Sequence, residues 1–237
     1  MSNRTAAPTR IVLATPHARH DRLEASLRAR PALHVTRLRS PQELTAASLQ
    51  AIDPAYVFLP HWSWLIPEPV HDAFECVVFH MTDLPFGRGG SPLQNLIVRG
   101  IYETRLSALR CVKELDAGPI YAQRPLSLQG GAEEIFLRAA ALIEELIADI
   151  VERRPAPQPQ VGEATLFRRR RPADGDIAGL TRLEQVHDHV RMLDAEGYPP
   201  AFLRVGRLRL EFGRSRLAHD HVLADVRITI APDEEAP

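Results

Sequence analysis

Cysteine is nearly absent from this chain: 237 residues contain two, Cys76 and Cys111. Each sits among apolar neighbours rather than in a paired metal spacing, so both read as core thiols that behave as small hydrophobes. Net charge is scarce as well. A formal balance of −1 excludes the broad positive field that grips long nucleic acid, so a small-molecule substrate is expected and a nucleic-acid partner is not. No apolar run approaches the roughly 20 residues that span a bilayer, and Met1-Ser2-Asn3-Arg4-Thr5-Ala6-Ala7-Pro8 lacks the apolar core of a signal peptide. The expectations are a cytoplasmic location and no membrane partner. Internal repeats are absent too. What the chain has is an apolar content of 45%, enough for one large core with a small appendage.

The apolar residues are arranged as alternating strands and helices. Arg10–Thr15 reads as a strand, His20–Ala29 as a helix with Leu23 and Leu27 on one face, and Leu33–Leu38 as a second strand. Pro41–Leu49 predicts a helix, Asp53–Leu59 a third strand, Cys76–Phe79 a fourth and Pro92–Arg99 another helix. Strands alternating with helices imply an α/β fold: a Rossmann-like open, mainly parallel sheet with helices on both faces. Leu106–Val112 and Ile120–Leu126 continue the strands around a turn at Asp116. Ile135, Ala139, Leu142, Ile143, Leu146, Ile147 and Ile150 then recur at helical spacing, and this helix stops before Pro155.

In Pro155-Ala156-Pro157-Gln158-Pro159-Gln160, proline alternates with small or polar residues, which favours an extended, semi-rigid connector. The expected domains are residues 1–154, a connector at 155–165, and a small C-terminal α+β subdomain at 166–237. The last contains a helix at Leu183–Leu193 and strands at Ala201–Leu210 and Val222–Ile230, with a frayed tail at Ala231–Pro237.

The chemistry is expected at the carboxyl end of the fourth strand. His80 enters a loop containing Gly87, Gly89 and Gly90 directly after Cys76-Val77-Val78-Phe79. That is where open α/β sheets place their ligands, and an imidazole there can move protons near neutral pH. Asp116, in Leu115-Asp116-Ala117-Gly118-Pro119, offers a carboxylate from a separate loop, with Asp83 and Glu114 as competitors for the acid role. Both tryptophans fall in His61-Trp62-Ser63-Trp64-Leu65-Ile66-Pro67, an apolar wall suited to a flat ring. Arg168-Arg169-Arg170-Arg171 reads either as a solvated face or as a phosphate clamp. Asp194–Phe202 reads as a helix stop at Gly197 followed by a turn.

The run His80-Met81-Thr82-Asp83-Leu84-Pro85, with Arg88-Gly89, Pro92 and Gln94 soon after and Asp116-Ala117-Gly118 thirty-six residues past the histidine, resembles the folate-dependent formyltransferases. This is the family of methionyl-tRNA, phosphoribosylglycinamide and sugar N-formyltransferases. The resemblance spans about residues 10–150. It implies transfer of a formyl group from 10-formyltetrahydrofolate, as cosubstrate and without a metal, to a primary amine. On this resemblance His80 and Asp116 are catalytic. Trp62, Trp64, Leu65, Ile66, Leu84, Arg88 and Gly118 face the folate, and Thr82, Arg88, Gly89 and Gly90 face the amine substrate. The sequence departs from the family at Val78, where the motif has an asparagine; Thr82 and Asn95 are the nearest replacements as a donor to the oxyanion. Roughly 65 residues follow Arg171, a layout similar to the sugar N-formyltransferases, which makes a nucleotide-linked amino sugar for surface glycans the expected acceptor. A homodimer is compatible with this reading. A formyltransferase-fold binding protein, another acyl transferase or a formyl hydrolase stays open as an alternative.

Overall fold

The computed structural model describes residues 7–230, and the tail at 231–237 lies outside the described residues. The chain forms two compact units. The first takes in the chain up to Gly89, Arg105–Leu126 and Leu137–Leu166; the second takes in Gly90–Thr104, Ser127–Phe136 and the chain from Phe167 onward.

In the first unit, β1 (Thr9–Ala14), α1 (Asp21–Arg28), β2 (Leu33–Leu38), α2 (Ala46–Ile52), β3 (Tyr56–Leu59), the short α3 (Glu68–His71) and β4 (Cys76–His80) follow one another. A two-residue strand β5 (Arg88–Gly89) comes next; after α4 (Pro92–Ile97), which belongs to the second unit, come β6 (Glu103–Arg110), β7 (Ile120–Ser127) and the long α5 (Ala132–Arg153). The sheet order is β2-β1-β3-β4-β6-β7. Pairings of β1 with β2, β1 with β3 and β3 with β4 are parallel, and β6 runs antiparallel to β4 with Val78 opposite Leu109 and His80 opposite Ser107. Ile11, Val12, Leu13 and Ala14 are all fully buried, as expected for a strand whose two faces are both covered by other elements. Fully burying one such Ile or Leu contributes roughly 1.5–3 kcal/mol.

Helix α1 turns Leu23 and Leu27 inward, four residues apart, and Ser26 on the same helix hydrogen-bonds Glu144 of α5. Helix α2 begins at Ala46, five residues after the expected start. Thr45 and Ser48 form a reciprocal capping box that fixes the first turn there, and Asp53 ends the helix in the left-handed region (φ 50°), which delays β3 to Tyr56. Val57, Phe58 and Leu59 then bury completely or nearly so.

The second unit contains β8 residue Phe167 (β8, Leu166–Phe167), α6 (Leu183–Arg191), β9 (Ala201–Val205), β10 (Leu208–Leu217) and β11 (Val222–Ile230). The apolar run at Ala201–Leu210 divides into two strands. Gly206, at φ 57°, turns the chain so that Val205 pairs with Leu208 across an antiparallel hairpin. The three strands lie in the order β11-β10-β9, with a register break between Gly213 and Arg216 where Arg214 takes φ 51°. Helix α6 packs against β10. Among the described residues, no helix is long and apolar enough to cross a membrane.

Candidate active site

His80 is the last residue of β4, and its side chain is 8% exposed. Its Nε2 lies 2.8 Å from the Gly87 carbonyl oxygen. A carbonyl only accepts, so Nε2 carries the proton and donates it. That leaves Nδ1 facing Asp116 Oδ2 at 3.5 Å, beyond a normal hydrogen bond and within reach of an ion pair when the ring is charged. The same Oδ2 accepts the Gly89 N–H at 2.9 Å. One carboxylate oxygen thus tethers the Arg88-Gly89 segment and faces the imidazole. Asp116 reaches this position with φ 53°, a left-handed conformation that Asp tolerates better than most residues. The competing acids point elsewhere: Asp83 meets Gln123 and Arg105, and Glu114 is exposed.

The loop between His80 and Gly87 is braced from below. Thr82 is fully buried, its carbonyl accepts from Ser107 Oγ of β6 at 2.8 Å, and Gln123 Nε2 of β7 reaches that same Oγ at 2.9 Å. Leu84, 5% exposed, precedes a cis peptide bond to Pro85. Gly118 is needed where the chain passes β6, because a Cβ there would lie 1.8 Å from the Arg110 carbonyl oxygen.

Gln160 was not singled out in the sequence, yet it joins the two loops. Its Oε1 accepts from Arg88 Nε and Nη2 at 3.0 and 2.7 Å, and its Nε2 donates to the carbonyls of Asp116 and Gly118, both at 2.8 Å. A glutamine at the end of a proline-rich segment looks like a solvating spacer. Its bonds span 42 to 72 residues of sequence, which no local pattern reveals.

Trp62 and Trp64 meet edge to face with ring centroids 4.9 Å apart. Trp62 and Ile66 pack on a core cluster that includes Ala14, Leu59 and Cys76, and Val78 packs on the same cluster. Val78 and His80 share one face of β4, being two residues apart on a strand. The position of the family asparagine is therefore apolar and adjoins the cluster that supports the tryptophan loop. Trp62 Nε1 is buried without a hydrogen-bond partner among the described residues, Trp64 is 43% exposed and Leu65 is 88% exposed. Burial pushes the Cys76 thiol up to about 12, and burial followed by the Asp116 charge pushes Cys111 up to about 11. Neither supplies a thiolate at neutral pH.

At the carboxyl ends of β1 and β3, where the strand order changes direction, His20 Nε2 and His61 Nδ1 lie 2.9 Å apart. Burial lowers His20 to about 3 and holds His61 well below its usual value. Arg37 fastens the loop that carries His20, donating to the carbonyls of Thr15, His17 and His20.

In the second unit, Asn95 Nδ2 is directed at three carbonyls, those of Gly90, Ser91 and Arg168, at 2.9–3.1 Å. Its donors are spent on holding loops. Gly90 donates to the Phe167 carbonyl, and a Cβ on it would lie 2.6 Å from Arg169 Cα. Within the arginine run, Arg168 and the Arg170 guanidinium are held by Asp174, whose carboxyl is lowered chiefly by the backbone N–H of Arg171.

An imidazole at the end of a central parallel strand, with a carboxylate from a neighbouring loop beside it, places the protein among open-sheet α/β proteins that work at the carboxyl ends of their strands. A solved methionyl-tRNA formyltransferase from Clostridium thermocellum is 44% identical, covers 94% of this chain and 100% of its own, and superposes with a TM-score of 0.92. The chain belongs to the folate-dependent formyltransferase family. The family described as the methionyl-tRNA formyltransferase C-terminal domain matches residues 172–229. The methionyl-tRNA formyltransferase of Paracoccus denitrificans is 31% identical over 191 residues, 77% of this chain and 62% of its own length. HypX from Aquifex aeolicus, solved in complex with tetrahydrofolic acid, shares the fold at 18% identity and a TM-score of 0.74, over 88% of this chain and 38% of its own. The chain spans 54–62% of the length of the curated relatives it matches.

Proposed function

We propose that this protein transfers a formyl group from 10-formyltetrahydrofolate to a primary amine, with His80 and Asp116 as the catalytic pair. The observation that carries the reading is the 3.5 Å approach of His80 Nδ1 to Asp116 Oδ2 at the end of β4. Asp116 orients the imidazole and stabilises the charge it gains when the attacking amine gives up a proton; such acid–base assistance is worth about 10²–10⁴-fold. His80 Nε2–H donates to Gly87, so a developing oxyanion receives that proton only by displacing the Gly87 carbonyl.

The residues fit a folate donor. Trp62, Ile66 and the exposed Trp64 and Leu65 offer apolar surface for a flat ring, and Trp62 Nε1 is a buried donor with no acceptor among the described residues. Leu84, Arg88 and Gly118 complete the donor side of this reading, while Thr82, Gly89 and Gly90 belong to the acceptor side. When bound, the donor supplies the formyl carbon; the chain supplies orientation and proton handling.

For the acceptor we favour a nucleotide-linked amino sugar, supported by a net charge of −1, which gives little long-range attraction to RNA. The names of the relatives support methionyl-tRNA instead. A second reading, folate binding without turnover, is favoured by Val78, because losing one oxyanion donor costs about 2.7–4 kcal/mol of transition-state stabilisation. Calorimetry with a folate analogue, followed by turnover with 10-formyltetrahydrofolate and either amino-sugar nucleotides or methionyl-tRNA, separates these readings. Absence of folate binding overturns the donor assignment. Binding without product on any amine supports the second reading, and formylation of methionyl-tRNA alone overturns the sugar acceptor.

A further inference from the structure

The three-stranded sheet of the second unit has two edges, and they differ. At one edge the chain covers β9: Asp176 bridges to Phe202, and the Ile177 N–H donates to the Phe202 carbonyl at 2.9 Å. At the other edge β11 pairs with β10 alone. It runs nine residues, Val222–Ile230, without proline. The bulge in this sheet lies on β10, where Arg214 and Ser215 stand against Ala224, so β11 itself carries no interruption. Every second backbone N–H and C=O along it faces outward, and among the described residues no second strand pairs with them. A long, unbulged edge of this kind is a template for another strand.

The side chains along β11 decide which strand fits. Val222, Ala224, Val226, Ile228 and Ile230 share one face, while Leu223, Asp225, Arg227 and Thr229 share the other. Val226, Ile228 and Ile230 are exposed. So are Asp225, which meets Arg214, and Arg227, 3.9 Å from Glu211; exposed ion pairs of this kind hold their partners weakly. Charges of one sign along an edge would repel a second copy of the chain. Here the signs are opposite and flank Val226, the midpoint of the strand.

A two-fold axis through Val226, normal to the sheet, sets two copies of β11 antiparallel with the same face on the same side. Val226 then lies opposite its own counterpart, and Asp225 of each copy lies opposite Arg227 of the other. On the apolar face, Ala224 meets Ile228 and Val222 meets Ile230, so all nine residues are paired. Moving the axis by one residue in either direction sets Asp225 against Asp225 or Arg227 against Arg227, and like charges directly opposite are destabilising. The charge pattern therefore admits one register and rejects its neighbours. We propose that β11 is a self-association surface: two copies of this chain join edge to edge about Val226, with reciprocal Asp225–Arg227 ion pairs, into one continuous six-stranded sheet. The interface is formed wholly by the second unit and uses none of the residues assigned to formyl transfer.

Sedimentation velocity on the full chain, across a dilution series at low ionic strength, tests this. The unaltered protein is expected to shift from monomer to dimer as concentration rises. Asp225→Arg and Arg227→Asp each set like charges opposite each other, and each alone is expected to weaken the dimer about tenfold or more. An equimolar mixture of these two variants restores opposite charges at both positions, so it is expected to form a mixed dimer at concentrations where each variant alone is monomeric. That mixture also shows that both variants keep β11 folded. Val226→Lys places two ammonium groups at the axis and is expected to weaken association by a similar factor. The proposal is overturned if the unaltered protein is monomeric at every concentration, if either charge variant or Val226→Lys dimerises as tightly as the unaltered protein, or if the mixture associates no better than its components.

Discussion

Replacing Gln160 by alanine tests whether the proline-rich segment is part of the site. The substitution removes two hydrogen bonds from the Arg88 guanidinium and two donations to the carbonyls of Asp116 and Gly118. Neutral hydrogen bonds contribute about 0.5–1.5 kcal/mol each and those to charged groups about 1.5–3 kcal/mol. The site is half-buried, so water replaces part of this, and about 3 kcal/mol is the expected loss. For a chain of this size that corresponds to a fall in Tm of roughly 6–12 °C. Gln160→Glu separates the two sides: a carboxylate still accepts from Arg88 but cannot donate to the carbonyls, so it should recover only part of the stability. Differential scanning calorimetry reads the stability, and turnover, where present, should fall about tenfold as Arg88 and Asp116 lose their common anchor. If Gln160→Ala melts within about 1 °C of the unaltered protein and keeps its turnover, the segment is only a spacer and the reasoning fails.

Asp116→Asn retains an acceptor for Gly89 N–H and a residue type that tolerates φ 53°. Folate binding and Tm should therefore hold while turnover falls about a hundredfold or more; unchanged turnover would remove Asp116 from the catalytic pair. Val78→Asn places an amide in the cluster beside Trp62 and Ile66, at a stability cost of about 1–3 kcal/mol. A rise in turnover in this variant would show that the missing donor limits the rate, and no rise would show that it does not. His20, held down to about 3 against 6.5, stays neutral in the fold while the unfolded chain takes up its proton. Stability should thus be full above about pH 6.5 and fall by up to about 1.4 kcal/mol per pH unit toward pH 3. Urea titrations at pH 7.5, 6 and 5 measure this, and a stability that does not decline below pH 6.5 would contradict the buried neutral pair.

Much of the fold was legible because its strands are short apolar runs separated by turn residues. Leu33–Leu38 and Val222–Ile230 coincide with β2 and β11. Where the expectation slipped, a short-range hydrogen bond or backbone angle had decided the outcome: the Thr45–Ser48 box moved α2, and the positive φ of Gly206 split one apolar run into a hairpin. In the site, spacing and family likeness singled out His80 and Asp116, which the fold brings together. Gln160 and the His20–His61 pair were not legible, because their partners are 41 or more residues away and nothing local marks them.

The pairing of Ile120 with Gln158, through bonds of 2.7 and 2.8 Å in both directions, gives the proline-rich segment a fixed register against β7. Surface loops ordinarily accept insertions and deletions freely. Here, adding or removing one residue between Gln158 and Gln160 would turn the glutamine amide to the opposite side of an extended chain, away from Arg88 and the Asp116 turn. The length of this stretch therefore matters to the site as much as the glutamine itself.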